Sequence, residues 1–184
     1  VRDDAIIEVG DLAQATANRV VDATGKIVAP GFIDMHTHSD YSSLETPTAD
    51  SKVLCGVTTE VMGQCGGSPF PMRGEALERR LAAYEPGEVD VSWSDVDGYV
   101  EHASRIGCSV NRALMVGHNT LRGSVIGYRQ RAATDDEIKA MVREVEIALD
   151  KGVFGLTTGL IYPPGCYGST EEIVEQARLA APRA

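Results

Sequence analysis

Apolar residues recur along this chain in two alternating patterns, short β-type runs and longer helical stripes. Four runs rich in β-branched and other apolar residues predict strands at residues 31–36, 57–62, 110–116 and 153–158. Helical periodicity or capping residues predict helices near 48–55, at 74–84, at 93–106, from residue 134 and from residue 169. Because strands that alternate with helices form parallel sheets with right-handed crossovers, we expect an α/β fold with about four β/α units.

The helix that begins after Thr134 carries the clearest signal. Thr134 and Glu137 have the spacing of a capping box, in which two side chains satisfy backbone amides reciprocally. One apolar stripe follows at helical spacing, formed by Ile138, Met141, Val142, Val145, Ala148 and Leu149. Ser169 and Glu172 have the same spacing and predict a second capping box at the start of the last helix.

Residues 1–29 differ in pattern from the remainder. Short apolar runs at 5–9 and 19–23, with a turn at 24–26, predict antiparallel strands. We therefore expect residues 1–29 to be part of a small flanking β domain and residues 30–184 to hold the β/α units.

Composition narrows the function classes. With 43% hydrophobic and 24% charged residues the chain is globular, and its net charge of −10 argues against nucleic acid or an anionic membrane as a partner. No apolar run approaches the roughly 20 residues that span a bilayer. The four cysteines are irregularly spaced and do not suggest a disulfide framework, so we expect a reducing cytoplasm.

Two histidines stand at the end of the first strand predicted for the β/α units. His36 and His38 are two residues apart, so on an extended chain both imidazoles point to one face. Histidine binds Zn²⁺ at about 2.0–2.1 Å, and two imidazoles nearly complete the three protein ligands of a catalytic zinc site. The alternative is a pair of polar residues that open a surface loop. Ser39 and Asp40 follow as candidate partners for the second ring nitrogens.

Cys65 also follows a predicted strand. Glycines bracket it, which lets the backbone approach a ligand closely and leaves the thiol uncovered, and a nearby cation would make it a thiolate ligand. Cys55 and Cys108 lie among apolar neighbours, and we interpret them as inert buried residues.

Three stretches, residues 29–40, 56–69 and 155–172, resemble the N-acyl-D-amino-acid deacylase (D-aminoacylase) family of the amidohydrolase superfamily. The resemblance implies a metal-dependent TIM-like (β/α)₈ barrel that uses one or two Zn²⁺ ions to hydrolyse the linear amide of small N-acyl-D-amino-acid substrates. It also implies that His36, His38 and Cys65 are metal ligands. Many amidohydrolases bridge two metal ions with a carbamylated lysine on the fourth strand. Residues 155–159, at the corresponding strand end, contain no lysine, which fits Cys65 in that role.

The family carries two further histidine ligands and a catalytic aspartate later in its sequence, beyond position 184 of this chain. A complete barrel typically has about 250 residues, so the 184 present fall short of one, and the four predicted β/α units correspond to its first half. We therefore expect an N-terminal fragment, with residues 30–184 as half a barrel, that is inactive alone.

Side chains after the third and fourth predicted strands are candidates for substrate binding. Arg122 could pair with a substrate carboxylate, and a structural ion pair is the alternative. Tyr162 could hydrogen-bond substrate, with loop packing as its alternative. His118 and Tyr167 lie nearby in the sequence, whereas His102 is expected on a solvated helix surface.

Two other functions remain open at this point. One is hydrolysis of cyclic amides of the hydantoin or dihydropyrimidine type, against which the cysteine motif and the absent lysine weigh. The other is an incomplete, metal-binding fragment without turnover.

Overall fold

The second of two compact units contains the parallel sheet. The structure, a computed structural model, describes residues 1–3, 5–84 and 90–181. It divides into Val1–Pro30 and Gly31–Ala184. Within the described part of the second unit, four parallel strands pair in chain order and curl into a half-barrel. The strands are β1 (Phe32–Asp34), β2 (Val57–Met62), β3 (Asn111–Gly117) and β4 (Gly155–Thr157).

Helices follow every strand, which confirms the predicted β/α units. The loop after β1 carries α1 (Ser42–Glu45) and α2 (Asp50–Val53), and the loop after β2 carries α3 (Gly74–Ala82) and α4 (Val96–Ile106). The remaining helices are α5 (His118–Val125), α6 (Asp135–Asp150) and α7 (Thr170–Ala180), with a 3₁₀ turn at Gly165–Tyr167. The sequence did not predict α1 or α5. α5 is short, begins at Gly117 without a side-chain cap and contains Gly123, so it lacks the usual helix signals.

The predicted capping box of α6 is confirmed. The hydroxyl of Thr134 accepts from the amide of Glu137 at 3.3 Å, and the carboxylate of Glu137 accepts from the amide of Thr134 at 2.8 Å. At α7 the second box is only half formed, so that prediction was wrong. Ser169 accepts from the amide of Glu172 at 3.2 Å, but the carboxylate of Glu172 turns into the interior instead of back to the cap.

An aromatic cluster holds the loops after β1 and β2 against α4. The rings of Trp93 and Tyr99 meet edge to face with centroids 5.3 Å apart. The indole of Trp93 donates to the carbonyl of Pro69 at 2.7 Å, and the hydroxyl of Tyr99 donates to the carbonyl of Asp40 at 2.8 Å. Both buried polar groups are thus satisfied, and each bond fixes the backbone of a loop at the carboxyl ends of the strands.

Large apolar side chains of the sheet region are uncovered. Phe32 and Ile33 of β1 are 64% and 59% exposed, and Phe154, just before β4, is 63% exposed. In a closed barrel the inward side chains fill layers with partners from alternate strands. Phe32 and Ile33 are adjacent on β1 and point to opposite faces, so both faces of this edge strand are uncovered.

The strands predicted at residues 5–9 and 19–23 are not formed. In the described residues 1–3 and 5–30, the one strand-like pairing is an isolated bridge between Arg2 and Ala5. The predicted turn is present, because the amide of Lys26 bonds the carbonyl of Ala23 at 2.9 Å and Gly25 has a φ of +72°. Ile6, Ile7, Val20 and Val21 remain exposed, since an isolated two-stranded ribbon buries too little surface to be stable.

The longest helix described, α6, has 16 residues. Across the described ranges, no helix has both the length and the apolar character that crossing a membrane requires.

The α6 cap generates a prediction on acid stability. Hydrogen bonds from Arg131, and secondarily from Thr134, lower the pKa of Glu137 to about 2 from its usual 4.5. Its contribution to folding is therefore fully present above about pH 4.5 and is lost as the pH falls towards 2. We expect Glu137→Gln to lower the free energy of unfolding at pH 7 by roughly 1 kcal/mol.

Urea unfolding of the full-length protein between pH 7 and pH 2 measures this effect. The difference between wild type and Glu137→Gln should shrink as the pH falls through that window. Asp136→Asn is the matched control, because Asp136 is an exposed neighbour in the same helical turn. A pH-independent difference would contradict the role assigned to the Glu137 carboxylate.

Candidate metal centre

Parallel pairing of β1 with β2 brings the three predicted ligands to one edge of the sheet. Ile33 and Asp34 pair with Thr59 and Glu60, so the carboxyl ends of both strands lie side by side. His36 and His38 follow β1, and Cys65 follows β2. One donor atom from each of the three lies within 4.8 Å of the other two. Sγ of Cys65 is 3.3 Å from Nε2 of His36.

This arrangement fits a zinc ion. A tetrahedral ion with bonds of 2.0–2.3 Å would hold any two donor atoms about 3.3–3.8 Å apart. The separation of 3.3 Å between Cys65 and His36 already matches that range. The two imidazole rings stand edge to face, with centroids 5.4 Å apart, and both histidines are exposed. Two imidazoles and one thiol are the donor types that zinc prefers, and three protein donors leave a position open.

Cys65 has an unusual backbone conformation. Its φ is +54°, in the left-handed region that residues with a side chain rarely adopt. Gly66 follows with a φ of +76°. The conformation is sustained by very close backbone packing, because a Cβ on Gly159 would stand 1.9 Å from the carbonyl oxygen of Cys65. A Cβ on Gly117 would similarly stand 2.3 Å from the carbonyl oxygen of Gly66. Only glycines permit the loop after β2 to pass this close to the ends of β3 and β4.

Hydrogen bonds from the neighbouring units complete the support of this loop. A carboxylate oxygen of Asp40 accepts from the amide of Gly63 at 2.8 Å, and the amide group of Gln64 donates to the carbonyl of Met35 at 3.1 Å. The hydroxyl of Thr157 accepts from the amide of Gly66 at 3.2 Å and donates to the carbonyl of Gly63. Burial raises the pKa of Asp40 to about 6, while the amide of Gly63 acts in the opposite direction.

Ser39 and Asp40 do not have the predicted role of ring-nitrogen partners. The hydroxyl of Ser39 donates to the buried carboxylate of Glu60 at 2.8 Å, and Asp40 supports Gly63 as described. Sequence adjacency suggested the imidazoles as their targets. Residues 39 and 40 lie in a turn, however, and the turn directs both side chains to β2 and its loop instead.

Arg122 is not placed to bind a substrate, and this prediction is corrected in favour of its ion-pair alternative. Its side chain is fully buried and pairs with Glu172, and it also donates to the carbonyl of Arg131. His118 is buried as well, with Nε2 2.7 Å from the same carboxylate. Burial alone would raise the pKa of Glu172, but the hydrogen bonds from His118 and Arg122 hold it below its usual value. The cluster links α5 to α7.

Tyr162 lies in the loop after β4 and is 53% exposed, so its phenol is free to meet solvent or a ligand at this edge. Its amide bonds the carbonyl of Gly159 at 3.1 Å. Tyr167 is half-buried in the 3₁₀ turn. His102 is half-buried rather than solvated, because its ring packs on Trp93 with centroids 5.0 Å apart.

The prediction that Cys55 and Cys108 are buried was wrong. Cys55 is exposed and Cys108 is half-buried. Apolar neighbours in sequence did not imply burial, since Leu54 beside Cys55 is itself 86% exposed. Cys65, itself half-buried, is distinguished from both cysteines by its two imidazole neighbours.

Residues 19–164 match the sequence profile of the amidohydrolase family. A D-aminoacylase of Alcaligenes xylosoxydans xylosoxydans is 42% identical over 178 residues, which cover 97% of this chain and 37% of that protein. The chain therefore spans little more than a third of this relative. A D-hydantoinase of Ralstonia pickettii is 33% identical over 91 residues, 46% of this chain and 19% of that protein.

Solved structures agree with the sequence match. A D-aminoacylase with a binuclear metal centre superposes with a TM-score of 0.85 at 39% identity, covering 100% of this chain and 38% of its own. An N-acyl-D-glutamate deacylase from Bordetella bronchiseptica, in complex with zinc and a phosphonate inhibitor, superposes with a TM-score of 0.80 at 35% identity. The match covers 95% of this chain and 36% of that one. The half-barrel thus corresponds to a part of a longer barrel.

The buried cluster predicts a large effect on stability. Glu172→Gln should lower the free energy of unfolding by about 3–5 kcal/mol, because it leaves Arg122 charged and buried without a carboxylate. Urea unfolding of the full-length protein measures the loss. Glu171→Gln, on the exposed neighbour in the same helix, should change stability by less than about 0.5 kcal/mol. Equal effects of the two substitutions would refute the assignment.

The ligand set predicts a difference among the cysteines. Cys65→Ala should reduce the zinc content of the purified full-length protein far more than Cys55→Ala or Cys108→Ala, because only Cys65 lies beside two imidazoles. Elemental analysis after dialysis decides the matter. Equal zinc content in all three variants would remove Cys65 from the ligand set.

Proposed function

The chain belongs to the amidohydrolase family, and on that premise we propose that the protein that carries it is a zinc-dependent hydrolase of the linear amide in N-acyl-D-amino acids. The observation that carries the proposal is the meeting of His36, His38 and Cys65 at the carboxyl ends of β1 and β2. Catalytic residues of (β/α)₈ barrels lie at this face. The likeness to D-aminoacylases supports the substrate class.

We propose that residues 30–184 form the first half of the barrel and that residues 1–29 belong to a small flanking domain. The remaining metal ligands and the general base, an aspartate in the family, would come from residues outside this chain. The uncovered apolar side chains of Phe32, Ile33 and Phe154 support this, since the later strands of a barrel and its outer ring of helices would cover both faces.

When bound, a zinc ion lowers the pKa of its water to about 7 and polarises the acyl carbonyl. The chain's own residues would prepare the site for that chemistry. His36 and His38 would hold the ion through ring nitrogens and Cys65 would hold it through its sulfur as a thiolate, so the thiol proton would leave on binding. The glycine-supported loop fixes the backbone of Cys65, which would limit the conformational entropy lost on binding.

Tyr162 is the candidate for substrate binding within this chain. Its exposed phenol follows β4 at the same face and would donate a hydrogen bond to the carboxylate of a D-configured substrate. We further propose a cytoplasmic location, which is supported by the absence of any disulfide among the four cysteines.

Hydrolysis of a cyclic amide is the alternative activity, because part of the chain resembles a D-hydantoinase. That likeness covers less than half of the chain, whereas the D-aminoacylase likeness covers nearly all of it. A metal-binding protein without turnover is the second alternative.

The test compares three substrates on the full-length protein: N-acetyl-D-amino acids, their L-enantiomers and hydantoin. We expect hydrolysis of the D-substrates alone, its loss after chelation and its return with Zn²⁺. His36→Ala should reduce kcat/KM at least about 100-fold, since it removes a proposed ligand. His102→Ala, outside the site, is the control.

Preferential hydrolysis of hydantoin would establish the alternative activity. No hydrolysis of any of the three substrates by a protein that retains zinc would leave the metal-binding alternative and overturn the proposed function.

A further inference from the structure

The side chain of Asn119 connects three of the β/α units at the face that carries the candidate metal centre. Asn119 is the second residue of α5, directly beyond β3, and only 8% of its surface is exposed. Its Nδ2 donates to the carbonyl of Gly159 in the loop after β4 at 3.2 Å, and reaches the carbonyl of Cys65 in the loop after β2 at 3.5 Å. One amide group therefore uses both of its protons on backbone carbonyls of two different loops.

The backbone at the start of α5 holds the same loop. The amides of Asn119 and Thr120 both donate to the carbonyl of Gly66, at 2.8 Å and 3.2 Å. Successive carbonyls, those of Cys65 and Gly66, are thus oriented by the first turn of one helix. The left-handed backbone of Cys65 is unfavourable for a residue with a side chain and persists only where its surroundings determine it.

The amide of Asn119 packs directly against two glycines, where no larger residue would fit. A Cβ on Gly66 would lie 2.9 Å from its Cγ and Oδ1, and a Cβ on Gly165 would lie 1.8 Å from Oδ1. Among the described residues Oδ1 has no hydrogen-bond partner although it is buried. An unpaired buried acceptor is unfavourable, so the surroundings of Oδ1 do not explain an asparagine at this position. The contacts of Nδ2 with the two loops do.

We propose that Asn119 is a positioning residue for the metal centre. By holding the carbonyl of Cys65 it keeps the backbone in the left-handed conformation from which Sγ faces His36. Because the carbonyl of Gly159 also accepts from the amide of Tyr162, the same side chain connects the ligand loop to the loop of the candidate substrate residue. The inference rests on the proposed role of Cys65 as a metal ligand.

The test measures metal binding rather than turnover. Metal-free full-length protein is titrated with Co²⁺ and Zn²⁺ in the presence of a competing chelator, and the thiolate-to-cobalt charge-transfer band reports the Cys65–metal bond. We expect Asn119→Ala to weaken metal binding about 10- to 100-fold, the usual effect of losing an outer-sphere partner, and to weaken the charge-transfer band. Asn119→Asp, nearly isosteric but without the donor group, should act in the same direction.

Asn111 provides the matched control. It lies at the opposite end of β3, and its side-chain amide likewise donates to a backbone carbonyl, that of Thr58, at 3.0 Å. Asn111→Ala should leave metal affinity and the cobalt spectrum unchanged. Urea unfolding of each metal-free variant separates positioning from a loss of folding, and Asn119→Asp keeps the test available if Asn119→Ala does not fold.

Wild-type affinity and an unchanged cobalt band in both Asn119 variants would overturn the proposal. Equal weakening in the Asn119 and Asn111 variants would also overturn it, since the effect would then be general. The outcome is independent of the substrate: wild-type protein that binds cobalt through a thiolate but hydrolyses none of the three substrates would refute the proposed function and leave this inference standing.

Discussion

The close passage of the loop after β2 across the ends of β3 and β4 is the contact on which the candidate site depends. At this point backbone meets backbone, and the positions of Gly66, Gly117 and Gly159 leave no space for a Cβ. The contact forces Cys65 into a left-handed conformation. The carbonyls of the same loop accept hydrogen bonds from the hydroxyl of Thr157 and from the first turn of α5. A side chain at any of the three glycines would push the loop away from β3 and β4. The glycines therefore determine the position of the Cys65 thiol through the backbone.

The sequence was sufficient to predict the parallel β/α units, the α6 cap and the meeting of His36, His38 and Cys65. These features follow from local patterns: alternating elements, cap spacing and the rule that strand ends share one edge of a parallel sheet. The support of the site was not predictable, because its contacts join distant segments. Thr157 bonds Gly66 across 91 positions, and Asn119 bonds Cys65 across 54. Arg122 illustrates the same limit. The sequence around it allowed either a substrate contact or a structural ion pair, and its partner in that ion pair, Glu172, lies 50 positions away.

A cluster of buried ionisable side chains joins α5 to α7, and its stability depends on desolvation rather than on backbone packing. Arg122, Glu172 and His118 have fully buried side chains, and desolvation of such groups is unfavourable unless each finds a partner. Here one carboxylate accepts from two donors of α5, so the cluster fixes that helix against α7 in both position and rotation. Since the first turn of α5 holds the carbonyls of the ligand loop, a structural ion pair and a candidate metal centre are parts of one connected network.

All three candidate ligands come from a short stretch of chain. His36 and Cys65 are separated by 29 positions, and both belong to the first two strands of the sheet. Closing a loop of this length loses little entropy compared with a site assembled from the two ends of a barrel. During synthesis the chain leaves the ribosome from its N-terminus, so this donor set emerges before any later strand exists. Because the conformation of Cys65 depends on β3 and β4, a metal ion held by all three side chains would cross-link β1 to β2 only after these later strands have docked.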